Sequence, residues 1–103
     1  MHTVFVTMDC DPADQGRLLE LARASLDVFA AQPGFVSAGL HRSLDGGQLV
    51  THLVWDSKGA SDACMTSPDF ATSRAVQAFS AMADEGRATM IPRDFELVDS
   101  RGG

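Results

Sequence analysis

The chain has 103 residues, 45% of them hydrophobic, and a formal net charge of −6. That length is one domain's worth, taken as 1–103, and the hydrophobic share suits a packed core rather than a disordered chain. The eight basic residues are scattered (Arg17, Arg23, Arg42, Lys58, Arg74, Arg87, Arg93, Arg101), without the basic stripe of a nucleic-acid or anionic-membrane binder, so neither partner is expected.

No apolar run approaches the length of a membrane span. The N-terminus lacks a basic stretch followed by an apolar block, so no signal peptide is expected and the expected compartment is the cytoplasm. Cys10 and Cys64 lie far apart with no metal-ligand spacing; buried free thiols are the better-supported reading and a structural disulfide the alternative. There is no P-loop, GxGxxG, GxSxG or zinc pattern, so neither a metal nor a nucleotide cofactor is expected.

In chain order, His2 to Met8 is a β-branched and aromatic run that predicts a first strand. Asp11-Pro12 opens a helix, with Asp11 as the expected cap, proline at the first helical position and Asp14 near the positive end. Leu19, Ala22, Leu26 and Phe29 recur on one face of that helix, which runs to about Ala31 before Pro33-Gly34 ends it. Phe35 to Arg42 predicts a second strand and Leu49 to Trp55 a third, joined by the turn Asp45-Gly46-Gly47. Ser57 to Thr66 reads as a short irregular helix. Ser67-Pro68 starts a helix expected to run to about Glu85, with Ala75, Val76, Phe79, Met82 and Ala83 as its stripe. Thr89 to Val98 predicts a fourth strand in which Pro92 marks an edge or bend. Asp99 to Gly103 is expected to fray.

The order β-α-β-β-α-β is a ferredoxin-like α+β arrangement, an antiparallel sheet with its main helices on one face. Strands two and three are apolar at odd positions (Phe35, Leu49, Leu53, Trp55) and at even ones (Val36, Ala38, Leu40, Val50, Val54). Helices on one side cannot cover both faces, and a bare apolar sheet is avoided in water. A homodimer through the second face is therefore expected, giving a dimeric α+β barrel.

Pro33-Gly34-Phe35, Ser43-Leu44-Asp45-Gly46, Trp55-Asp56-Ser57 and Ser67-Pro68-Asp69-Phe70 together resemble the antibiotic biosynthesis monooxygenase family. The resemblance covers nearly the whole chain. It implies cofactor-independent oxidation of an aromatic substrate, a polyketide-type phenol, anthrone or quinol, to a quinone by O2. It also implies a pocket between sheet and helices lined by a strand-three tryptophan, matched by Trp55, and an arginine on the following helix, matched by Arg74. The asparagine common four residues before that tryptophan is Thr51 here, and the tyrosine found in some members has no counterpart, since the chain has no tyrosine. Haem-degrading relatives use a histidine on the second helix and an asparagine on strand one; both are missing.

Residue chemistry supplies the candidate roles. Trp55 offers a flat face and an N–H donor, though a strand tryptophan also fills core. Thr51 shares its strand face and offers a hydroxyl. His41 is the candidate base if odd positions pair across a three-residue hairpin loop; a two-residue loop turns it to the other face. His52, of opposite parity to Trp55, is expected in the dimer interface. Arg74 is the candidate for neutralising a phenolate, although on a continuous helix it falls beside Phe70 and off the apolar stripe. Phe5, Phe35, Phe70, Phe79 and Met82, with Met65 and Met90, are the candidates to line an adaptable cavity. The competing readings are a non-redox cyclase or isomerase, and a small-molecule-binding dimer without turnover.

Overall fold

The computed structural model describes residues 1–102. Strand β1 (His2–Cys10) leads into α1 (Pro12–Ala30), then β2 (Phe35–Arg42) and β3 (Gln48–Trp55) form a hairpin. Three helical segments follow, α2 (Lys58–Met65), α3 (Pro68–Thr72) and α4 (Arg74–Asp84), before β4 (Ala88–Glu96) returns to the sheet. The sheet is four-stranded in the order β2-β3-β1-β4, and every neighbouring pair is antiparallel. This is the expected α+β, ferredoxin-like arrangement. Residues 97–102 carry no regular structure, and Gly103, the last residue of the expected frayed tail, lies outside the described residues.

Serine capping sets the helix starts. Ser57, Ser67 and Ser73 each accept a hydrogen bond from the backbone N–H three residues on, those of Ala60, Phe70 and Val76, at 3.1, 3.2 and 3.2 Å. Asp11 stands at the N-cap of α1 with extended backbone, but its side chain makes no capping bond. The first turn is closed instead by the Asp14 N–H donating to the Asp11 carbonyl at 2.8 Å, and the Asp14 carboxylate pairs with Arg87 at 2.9 Å.

One expected helix is two. Ser73 has φ −66° and ψ 124°, an extended residue that ends α3 and caps α4. The break has a geometric consequence. Phe70 and Phe79 are nine positions apart, so at about 100° per residue an unbroken helix would point them in opposite directions. The extended residue resets the phase and lets both face the sheet.

The hairpin decides which face each strand residue takes. Arg42 lies opposite Leu49 and His41 opposite Val50. Ser43 bonds Gln48, so Leu44, Asp45, Gly46 and Gly47 make an even-numbered loop. Odd residues of β2 therefore pair with even residues of β3. A bulge between Phe35 and Ser37 brings Phe35 back opposite Trp55 and leaves Val36 42% exposed.

The expected faces are corrected accordingly. Ala38 and Leu40 lie opposite Leu53 and Thr51, on the helix side. The uncovered face is built from Val50, His52 and Val54 of β3, Gly39 and His41 of β2, Phe5 and Thr7 of β1, and Ile91, Arg93 and Phe95 of β4. Its apolar groups come largely from the β1 and β4 side of the sheet. Phe5 meets Phe95 edge-on at 5.2 Å, and His41 stacks on His52 at 5.9 Å. A side chain on Gly39 would run into the His52 ring, so this glycine makes the room in which the imidazole lies.

On the helix face the core falls into two clusters. Met8, Leu18, Leu21, Leu49, Met82 and Ala88 close one end of the sheet–helix layer. Val4, Leu53, Trp55 and Cys64 close the other. The buried stripe of α1 runs through Leu18, Leu21, Ala22 and Ser25, one position round from the expected stripe centre; Leu19, Leu26 and Phe29 flank it half-buried.

Candidate functional site

Between those two clusters lies a cavity of about 190 Å³. Its position follows from side-chain size. Over the middle of the sheet α1 presents Ala22 and Ser25, its small residues, where Leu18 and Leu21 fill one end and Leu26 and Phe29 the other. The sheet supplies the floor: Val4, Val6 and Met8 of β1, Thr51 and Leu53 of β3, Met90 and Pro92 of β4. Phe70 of α3 and Val76, Phe79 and Ser80 of α4 complete the roof with Met65 from the end of α2. Met65, Ser80 and Pro92 are exposed, so the mouth lies among them.

The lining contains no aspartate, glutamate, histidine, lysine, arginine or cysteine. Its polar side chains are three hydroxyls. The Ser25 hydroxyl donates to the Leu21 carbonyl at 2.8 Å and is committed to the helix. Ser80 is exposed at the mouth. Thr51 is 6% exposed, sits on the central floor between Val6 and Leu40, and its hydroxyl has no protein partner among the described residues. Thr51 is thus the one interior hydroxyl free to donate.

Trp55 does not line the cavity. It is fully buried behind it, edge-on to Phe35 at 5.7 Å, and shares the neighbours Val4, Leu53 and Phe70 with the cavity wall. Its indole N–H is buried with no hydrogen-bond partner among the described residues. Beside it, burial pushes the Cys64 thiol above the usual cysteine range, so this sulfur is a protonated, apolar packing group.

The other expected site residues are distributed as the register dictates. Thr51, Phe70 and Phe79 meet at the cavity, along with Met65 and Met90. Phe35 packs on Trp55 rather than on the cavity. Met82 is buried in the cluster under α1 and α4. Phe5 lies on the opposite face of the sheet, against His52 and Phe95, because odd residues of β1 point away from the helices. The even-numbered hairpin loop puts His41 on that same face, stacked on His52. Arg74 opens α4, exposed and away from the lining.

Val4, Val6, Ser25 and Ser80 were not singled out from the sequence, and Leu26 was read only as part of the α1 stripe. Parity with Met8 marks the valines as a shared strand face, and a serine between Ala22 and Phe29 on an apolar helix stripe marks Ser25. Ser80, next to Phe79 on a helix, leaves no comparable trace. No group of three or more metal-ligating side chains occurs among the described residues. No helix there is long and apolar enough to cross a membrane.

Solved structures share this architecture. A protein of Deinococcus radiodurans assigned to the antibiotic biosynthesis monooxygenases superposes with a TM-score of 0.78 at 16% identity, over 99% of this chain and 97% of that one. SnoaB of Streptomyces nogalater, described as a cofactor-independent oxygenase, gives a TM-score of 0.70 at 25% identity, over 96% of this chain and 95% of that one. Rv0793 of Mycobacterium tuberculosis gives 0.73 at 22% identity, over 99% and 100%. No curated protein matches the chain by sequence. The family described as antibiotic biosynthesis monooxygenase matches residues 1–86, from β1 to the end of α4 and therefore nearly every wall of the cavity; the chain belongs to that family.

Proposed function

We propose that the chain is a cofactor-independent monooxygenase that oxidises an aromatic phenol, anthrone or quinol to a quinone inside this cavity. The observation that carries the reading is the cavity itself: an apolar space walled by Phe29, Phe70 and Phe79, with one free interior hydroxyl. SnoaB, alike over nearly its whole length, supports the reaction class.

The substrate carries the redox chemistry. Triplet O2 reacts slowly with closed-shell organics, but the phenolate or carbanion left when the substrate gives up its own acidic proton to water at the mouth donates one electron to it without a metal or flavin, and a proton returns to the peroxide that forms. Collapse of the radical pair forms a peroxide at the ring carbon, and loss of water leaves a carbonyl. For an anthrone the balance is substrate plus O2 giving quinone plus water: the methylene carbon loses four electrons and two hydrogens, one oxygen atom stays on carbon and the other leaves as water. The protein holds the ring with Phe70 and Phe79, donates from Thr51 to the substrate oxygen, and keeps bulk water from the peroxide.

The working unit in this reading is a homodimer joined through the uncovered sheet face. Phe5, Ile91 and Phe95 are 38%, 40% and 45% exposed on that face. Covering them with a second copy removes a contiguous apolar patch from water at about 25 cal/mol per Å². Sedimentation at micromolar concentration should give twice the chain mass; a single-chain mass removes the dimer from the proposal.

The test of the reaction is oxygen uptake by metal-free protein with anthrone and 1-naphthol, with ¹⁸O2 tracing one labelled atom into the quinone. No uptake above a buffer blank overturns the proposal. A second reading, binding without turnover, is favoured by the lack of any ionisable side chain in the lining, and saturable binding without oxygen uptake would establish it.

A further inference from the structure

Resting on the reading of the cavity as the substrate site, we infer that it selects a neutral two-ring aromatic with one oxygen held by the Thr51 hydroxyl, over three-ring or ionised ligands. Three observations converge on this class.

The first is charge. No cationic or ionisable side chain lines the cavity, and an anion placed there would lose its hydration without gaining a countercharge. The ligand therefore enters uncharged, and its ionisation depends on its own acidity rather than on a base in the wall. The nearest histidines by sequence, His41 and His52, stack together on the other face of the sheet.

The second is size. An apolar cavity of about 150 Å³ encloses one benzene ring. The present cavity, about 190 Å³, takes one ring within and a second towards the mouth at Met65, Ser80 and Pro92. A third fused ring would project past Met65, Ser80 and Pro92 into solvent, and in anthrone the oxygen sits on the middle ring rather than on the enclosed terminal one.

The third is polarity. Ser25 is spent on the Leu21 carbonyl and Ser80 stands in solvent, which leaves the unpartnered Thr51 hydroxyl as the interior donor. One oxygen on the enclosed ring meets it.

Anaerobic equilibrium dialysis separates binding from turnover, using naphthalene, 1-naphthol and anthrone with the wild-type chain, Thr51→Val and Thr51→Ser. The expected order is 1-naphthol tighter than anthrone, although anthrone has the larger apolar surface. Thr51→Val, nearly isosteric, should weaken 1-naphthol roughly threefold to tenfold, the worth of one neutral hydrogen bond, and leave naphthalene unchanged. Thr51→Ser keeps the hydroxyl and should restore 1-naphthol binding. Affinity for 1-naphthol should fall as pH rises through that compound's own ionisation. Anthrone binding as tightly as 1-naphthol, an unchanged affinity in Thr51→Val, equal binding of the naphtholate, or no binding of 1-naphthol would each overturn the inference. The outcomes separate from those of the oxygenase reading: binding as expected with no aerobic oxygen uptake sinks that reading and leaves this one, and rapid oxidation of anthrone with weak 1-naphthol binding does the reverse.

Discussion

Replacing Trp55 by phenylalanine should cost almost nothing in stability, although the residue is fully buried. Two contributions oppose each other. The change deletes ring atoms equivalent to two or three methylenes, at about 0.8 kcal/mol each, a loss of about 2 kcal/mol. It also removes the indole N–H, which is buried without a partner; such a donor costs about 1–3 kcal/mol while it stays unpaired. The sum lies within about 1 kcal/mol of zero. Trp55→Ala offers the contrast: it opens a void among Val4, Leu53, Cys64 and Phe35 and should lose about 3–5 kcal/mol. The assay is urea unfolding followed by far-UV circular dichroism, since both variants lose the only tryptophan. Chain concentration is held equal, because association adds to apparent stability. A loss of about 3 kcal/mol or more for Trp55→Phe would refute the reasoning, because the N–H would then be contributing a bond rather than a penalty.

Gly39→Ala should destabilise the sheet by about 1–3 kcal/mol through collision with His52, and the double variant Gly39→Ala/His52→Ala should recover most of it, as a double-mutant cycle by urea unfolding would show. Ser73→Ala removes the cap of α4 and the restraint that separates it from α3, and thermal melts should show a loss of about 0.5–2 kcal/mol. Asp45 accepts from the Gly47 N–H at 2.9 Å and the Ser43 hydroxyl at 2.7 Å, which hold its carboxyl below the usual range. A depressed carboxylate stabilises the fold above its ordinary pKa and loses that contribution as pH falls through the folded-state value. Asp45→Ala should therefore lower the melting temperature at pH 7, with the gap from wild type closing in acid; a gap that stayed constant down to pH 2 would contradict this.

Most of the architecture was readable because strand and helix signals agree with the tertiary layout. The strand runs, the Asp11-Pro12 and Ser67-Pro68 starts and the glycine stops each mark an element within a few residues. What escaped was parity and phase. Nothing in Asp45-Gly46-Gly47 states whether the hairpin loop is odd or even, and that one residue of register decides whether His41, Ala38 and Leu40 face helices or the uncovered side. The Phe35/Ser37 bulge adds a second parity change with no residue-type signal. The break at Ser73 did leave a trace: Phe70 and Arg74 fail to fit the wheel of Val76 and Phe79, and the misfit is what an extended residue between two helices produces. The cavity was legible only as a set of apolar candidates. Its location depends on Ala22 and Ser25 being small opposite the sheet centre, which appears only once α1 is laid on the strands.

The extended conformation of Ser73 has a consequence for how this chain can diversify. It leaves α3 as a five-residue segment with no buried residue, tied to its surroundings by the Ser67 cap, by the Gln32 amide donating to Asp69 at 3.3 Å, by the Gln77 amide donating to the Ala71 carbonyl at 3.0 Å and by Phe70 packing on Phe29. Phe70 rides on that segment and Met65 on the helix before it, so the doorway and part of the ceiling hang from two short helical segments rather than from the sheet or the long helix. Substitutions there can widen, narrow or re-aim the entrance while the strands and the long helix stay put. New ligand preferences can thus arise without touching the strand register or the long helix that set the rest of the architecture.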